Sequence, residues 1–287
     1  MLFPDQSFAR TPDRAPDMAV ESIAGDLARG LILLCDHASN TIPDEYQKLG
    51  LPDEQLERHI GYDIGAAYVV RRMAEVFGAP ALLTQFSRLV IDPNRGIDDP
   101  TLVMRLSDGA IVPGNRWVDN AEIERRIRRF HAPYDHAITS AINASLAAGV
   151  VPVIISMHSF TPFWRGVPRP WHLGVLWAGD GRLSVPLIKT LRNADDLVIG
   201  DNEPYHGALP GDVIDRHAIR RGLSNTLIEI RQDLIASERD AQAWADRLVP
   251  VLSTLLEDPV HRRQTAWPCH HPQSEAFTDQ VVLDPRG

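Results

Sequence analysis

Short, unbroken aliphatic runs set off by turn-forming residues recur along the chain at Leu31–Cys35, Ala81–Thr84, Leu89–Ile91, Pro152–Ser156, Leu173–Trp177, Leu197–Ile199 and Thr226–Ile230. They have the length of strands, and their lack of apolar/polar alternation predicts strands buried on both faces. Between them the apolar positions recur at helical spacing. One such stretch carries Leu56, Ile60, Ile64, Ala67, Val70, Met73 and Phe77, and a second carries Ile123, Ile127, Phe130, Tyr134, Ile138, Ile142 and Leu146. A third amphipathic run holds Trp244, Leu248, Val251, Leu252 and Leu255. Buried strands alternating with helices predict an α/β fold, a mainly parallel mixed sheet flanked by helices on both faces.

No repeat, low-complexity tract or Pro/Ser-rich linker divides the chain. A single α/β domain over residues 1–258 is expected, with residues 1–22 as an N-terminal arm and 259–287 as a C-terminal tail. In that tail His270 and His271 read as a solvated surface pair rather than as metal ligands.

Open parallel sheets bind ligands outside the carboxyl ends of their strands, and the polar clusters fall there repeatedly. The first strand runs into Asp36, His37 and Asn40, the Leu89 run into "DPNR", and "VIISMHSF" into His158 and Ser159. The stretch "TLIEIRQD" places Glu229 and Arg231 on one face of a strand. Taken singly, each has an ordinary explanation: a hydrogen-bonded histidine, an acid in a first helical turn for Asp63, an ion pair for Glu229, surface pairing with Asp98 or Asp99 for Arg88 and Arg95. Taken together, two imidazoles at strand ends with a nearby carboxylate form the usual catalytic zinc set of three protein ligands. Asp63, near the start of the first helix, is the stronger candidate for the carboxylate, because Asn40 carries no charge. A carboxylate buried in an aliphatic strand is costly without a task, and Glu229 suits a general base. Arg88 and Arg95 bracket the Leu89–Ile91 strand, Asn94 and Arg95 follow a proline that stiffens the turn, and guanidinium forks suit an acidic substrate.

Composition narrows the classes. With 29 Lys+Arg against 38 Asp+Glu the net charge is −9, and no basic stripe is interleaved with aromatics, so no nucleic-acid partner is expected. Cys35 and Cys269 lie far apart, and Cys35 sits within an apolar strand, which predicts reduced thiols and a cytoplasmic protein. The first residues lack a basic start followed by an apolar stretch, and no window approaches about 20 apolar residues, so neither a secretory signal nor a membrane span is expected. A serine hydrolase lacks its G-x-S-x-G elbow here, and a dinucleotide enzyme its G-x-G-x-x-G.

Six segments, "DHASNTIP", "GYDIGA", "SRLVIDPNRG", "MHSFTP", "GDNEPY" and "IEIRQD", in this order, resemble the N-formylglutamate amidohydrolase family from about Leu31 to Trp244. That family is in turn similar to zinc carboxypeptidases. The resemblance implies a phosphorylase/hydrolase-like, zinc carboxypeptidase-like fold holding one Zn2+ or another divalent metal. It implies His37 and His158 as zinc ligands, Asn94 and Arg95 as holders of a substrate carboxylate, Arg88 at the scissile carbonyl and Glu229 as general base. The chain departs from the carboxypeptidase pattern at Asn40, where the acidic ligand would stand. The helix instead follows residues 41–62 and opens near Asp63, so the acidic-ligand role passes to Asp63.

The expected activity is hydrolysis of an N-acylated acidic amino acid, a small-molecule substrate, with N-formyl-L-glutamate favoured by the resemblance. Arg231 or another basic residue would meet the side-chain carboxylate. A hydrolase for a different acyl or peptide substrate is a neighbouring reading, with "FWRGVPRPWH", Phe163–His172, lining or capping the pocket. A metal-free binder of acidic metabolites is a third, against which the intact His37, His158 and Glu229 weigh. The oligomeric state is left open.

Overall fold

The computed structural model describes residues 19–207 and 209–265. Seven strands form one sheet: β1 (Val20–Ile23), β2 (Leu31–Cys35), β3 (Ala81–Thr84), β4 (Val153–Phe160), β5 (Leu173–Leu176), β6 (Ile199–Asp201) and β7 (Asn225–Arg231), in the order β1-β3-β2-β4-β7-β5-β6. The central strands β3, β2, β4 and β7 run parallel. The edges reverse: β1 is antiparallel to β3, and the parallel pair β5–β6 is antiparallel to β7. This is a mixed, mainly parallel sheet.

Helices cover both faces, as continuous burial of the strands requires. Leu31, Leu33 and Cys35 of β2 point to one side, where α1 (Ala66–Phe77), α3 (Ser184–Leu191) and α4 (Glu238–Leu256) pack. The intervening Ile32 and Leu34 point to the other, against α2 (Ala132–Ala147) and the short helix Val213–His217. All eight residues of β4 are buried. At roughly 1.5–3 kcal/mol for each large apolar side chain removed from water, this two-sided core anchors the strand ends that carry polar groups.

Two expected elements take another form. Leu89–Ile91 is a fully buried turn rather than a strand. Its carbonyls avoid being orphaned because side chains replace a ladder: Asn115 Nδ2 donates to Leu89 O at 2.8 Å, and Arg126 Nη1 to Val90 O at 2.8 Å. The helix expected from Leu56 to Phe77 begins only at Ala66. Leu56 and Ile60 instead join Leu49, Phe86 and Leu89–Ile91 in a separate apolar cluster. The helix cannot start earlier because Gly65 adopts φ +83 and lies so close to Ile235 O that a Cβ there would stand 2.0 Å from it. The run from Ile123 to Leu146 is helical throughout, but it widens into a π turn at Ile127–His131, just before Pro133, which has no N–H to offer the preceding turn.

Val20–Ile23, partly within the expected N-terminal arm, forms the edge strand β1. Beyond Asp258 the turn Pro259–Arg262 packs down, with His261 buried against Ser224 and Arg262 donating to Gly30 O. Cys35 is buried as a free thiol; Cys269, His270 and His271 lie outside the described residues. Among the described residues no helix is long and apolar enough to cross a membrane.

Candidate metal centre

The sheet order sets β2, β4 and β7 side by side and parallel, so their carboxyl ends meet at one place. His37 follows β2 directly, and His158 lies near the end of β4. Asp63 reaches them from the segment before α1. Its amide donates to His37 O at 2.9 Å, while Arg88 N and Ser87 Oγ both donate to Gly61 O, tying that segment to the strand end and to the Arg88 turn.

The three side chains converge on one oxygen. Asp63 Oδ2 stands 3.2 Å from His37 Nδ1 and 2.8 Å from His158 Nδ1. The ligand-type atoms of His37, Asp63 and His158 all lie within 4.8 Å of one another, and all three residues are buried. The opposite ring nitrogens are already engaged: His37 Nε2 meets Asp92 Oδ1 at 2.8 Å, and His158 Nε2 meets Asp36 Oδ2 at 3.0 Å. Each imidazole is therefore oriented by a carboxylate behind it, with Nδ1 turned to the shared space, an arrangement that backs metal-bound histidines.

Those carboxylates are themselves held. Asp36 accepts from Tyr134 Oη at 2.7 Å and from Ser156 Oγ at 3.0 Å. Asp92 accepts from Arg88 Nη2 at 2.7 Å and from Asn94 N at 2.9 Å. Burial alone would raise the pKa of Asp36, Asp63 and Asp92, but their cationic neighbours outweigh it and all three are held below the ordinary range. Burial pushes both imidazoles down, with Arg88 adding to it at His37, yet the carboxylates win and raise both, His158 well above its usual value. Three carboxylates converging on two buried imidazoles make the pocket favourable to positive charge. Two imidazole nitrogens and one carboxylate oxygen are the donor set of a catalytic zinc site, so His37, Asp63 and His158 fit a divalent ion.

Asn40 takes no part. Its amide donates to Leu56 O at 3.2 Å and to Glu57 Oε1 at 3.3 Å, away from the histidines.

Glu229 sits directly across the β4–β7 ladder from His158, on the same face of the sheet. It is buried, and its Oε2 has no hydrogen-bond partner among the described residues. Burial pushes its carboxyl up to about 7; the His158 charge counters this and the Asp63 charge adds to it. Arg88 also lies 3.6 Å from Asp63 Oδ1. Arg95, only loosely paired at 4.0 Å with Asp92 and with Asp99, keeps its guanidinium partly open. Asn94 Oδ1 accepts from Val213 N at 2.9 Å. Arg231 is committed elsewhere, with Nε and Nη2 on Asp233 and Nη1 towards the carbonyls of Arg169 and Trp171.

Known proteins resemble this chain in sequence and in fold. The model of the N-formylglutamate amidohydrolase family matches residues 29–236. The chain belongs to the N-formylglutamate amidohydrolase family. A solved structure, the Atu2144 gene product of Agrobacterium tumefaciens, is similar at 34% identity and a TM-score of 0.78, covering 84% of this chain and 96% of that one. The N-formylglutamate amidohydrolase of Ralstonia eutropha JMP134 shares the fold at 22% identity and a TM-score of 0.65, covering 86% and 100%. No curated protein matches the chain.

Membership in an amidohydrolase family gives meaning to residues that sequence reasoning passed over. Asp92 lies inside the quoted segment "SRLVIDPNRG" yet had no assigned role; its signal was an acid directly after an aliphatic run and before a proline. Asp36, read from the sequence as at most orienting a histidine, meets His158 rather than the adjacent His37. Tyr134 and Ser156, which hold Asp36, left no trace beyond the helical and strand patterns that they complete.

Proposed function

We propose that this protein is a zinc-dependent amidohydrolase that cleaves the N-acyl amide of an acidic amino acid, with N-formyl-L-glutamate as the substrate and formate and glutamate as products. The observation that carries the proposal is the buried His37–Asp63–His158 donor set with the unpartnered Glu229 oxygen beside it. Family membership supports the reaction class.

His37, Asp63 and His158 would hold a zinc ion, which would supply Lewis acidity for activating water and polarising the scissile carbonyl. The protein's own groups do the rest. Glu229, whose carboxyl is raised to about 7, takes the proton of the attacking water at Oε2 and passes it to the departing amide nitrogen. Arg88, fixed by Asp92 and Asp63, presents a cation to the oxygen that gains charge as the formyl carbon is attacked. Arg95 and Asn94 hold the α-carboxylate, with the Asn94 carbonyl oxygen anchored to Val213 N so that the side chain cannot swing away. Asp36 and Asp92 keep both imidazoles aimed.

The test is metal analysis of the purified protein together with formate release from N-formyl-L-glutamate. Bound zinc and an activity that a chelator abolishes and added zinc restores are expected. Metal-free protein with chelator-insensitive activity, or no formate release with zinc bound, would contradict the proposal.

A further inference from the structure

Among the described residues, Arg169 is a buried cation without an acid. Its side chain donates through Nη1 to Thr161 Oγ1 at 3.0 Å, to Thr161 O at 3.4 Å and to Tyr205 Oη at 3.1 Å, all neutral acceptors. Among the described residues no carboxylate pairs with it, and Nε and Nη2 have no acceptor although they are not sealed off. Three aromatic rings enclose the guanidinium, Phe160 at 5.8 Å, Trp164 at 5.3 Å and Tyr205 at 5.0 Å. Such walls hold the planar fork in one orientation and shield its faces from water. A guanidinium left so, with a donor edge open, is prepared to receive an anion.

Its position directs it to the metal centre. Thr161 and Phe160 continue the strand that carries His158. Arg169 N donates to Pro162 O, and Arg169 O accepts from Arg231 of the strand that carries Glu229. Tyr205, its hydroxyl partner, is close enough to the reacting groups that Glu229 and Asp63 add to the effect of burial in raising its pKa, and Arg88 in turn feels Tyr205.

We propose that Arg169, steadied by Tyr205 and its aromatic walls, binds the side-chain carboxylate of the substrate and so confines the enzyme to N-acyl dicarboxylic amino acids. This rests on the amidohydrolase reading above and names the specificity determinant of that site. It also removes Arg231 from that role, since its donors are already taken. With Arg95 on the α-carboxylate and Arg169 on the side-chain carboxylate, both ends of a dicarboxylate are held and the amide between them is presented to Glu229.

The experiment uses ligands without a scissile bond. L-glutamate and L-glutamine, which differ by one charge at the position assigned to Arg169, are titrated by ligand-observed NMR into the zinc-loaded wild type and into Arg169→Gln. A charge-assisted bidentate contact predicts a preference for glutamate of roughly 10- to 100-fold in the wild type, falling to near unity in Arg169→Gln. A purely structural role would weaken both ligands and leave the ratio unchanged, and that result overturns the assignment. So does a wild-type ratio near unity, which needs no variant to fold. Arg169→Lys, keeping the charge without the fork, should retain part of the preference. Formate release is assayed on the same wild-type preparation. Preference without formate release would sink the reaction and keep the subsite, and formate release without preference would do the reverse.

Discussion

Whether Asn40 or Asp63 would complete a metal site turns on what each side chain already does. The Asn40 amide is bonded to Leu56 O and Glu57 Oε1, whereas one Asp63 oxygen faces both imidazoles. Asp63→Ala should therefore purify without zinc, while Asn40→Ala should keep it; elemental analysis of the two proteins settles the matter, and full zinc occupancy in Asp63→Ala would defeat the ligand assignment. Glu229 offers a separate test, because it sits beside the donors without being one. Replacing it with glutamine keeps the shape and removes the base, so zinc content should hold while kcat falls by roughly 100- to 10,000-fold. Loss of zinc from Glu229→Gln would recast the residue as a ligand.

At the level of elements, the helix Val213–His217 shows how the surroundings of the site carry a cost. Asp212 caps it, its carboxylate accepting from Asp215 N at 2.7 Å, yet the residue is buried. Burial, with the charges of Asp215 and Asp36 behind it and the Asp215 amide and Arg216 only partly opposing, raises its carboxyl to about 7. Because the folded pKa exceeds the unfolded one, the folded state holds a proton that the unfolded state has lost between about pH 4 and 7. Stability should therefore fall as pH rises through that window, by an amount on the order of 4 kcal/mol. Asp212→Asn keeps a capping oxygen and deletes the charge. Urea unfolding should show it more stable than the parent at pH 8 and much closer to it at pH 5; an equal gain at both would refute the titration. The same region marks the limit of what the chain reveals by pattern. β2 and β3 were legible to the residue, since an aliphatic run between turns has few other fates. Leu89–Ile91 has the same composition, and only Asn115 and Arg126, distant in sequence, make it a turn by taking its carbonyls. His37, Asp63, His158 and Glu229 could be singled out because each is chemically out of place in its local run. Asp92, Asp36 and Arg169 draw their meaning from partners that a local pattern does not contain.

For the whole molecule, the sheet order matters more than any one strand. β2, β4 and β7 are far apart in sequence and adjacent in the fold, and their ends bring together His37, His158 and Glu229, with Asp63 arriving from before α1. Four carboxylates, those of Asp36, Asp63, Asp92 and Glu229, are thus buried around two imidazoles and Arg88. A divalent ion held there would balance that charge and tie together the ends of two strands and the segment preceding α1. None of these ligands is near another in an unfolded chain, so zinc should bind the native state almost exclusively. The linkage is then quantitative: zinc at about a thousand times its dissociation constant stabilises the fold by about 4 kcal/mol, a rise in melting temperature on the order of 10 °C. Scanning calorimetry in chelator and in excess zinc measures it. The zinc-dependent increment should vanish in Asp63→Ala and persist in Asn40→Ala, and a wild-type transition that zinc does not move would mean that the centre is assembled without reference to a metal.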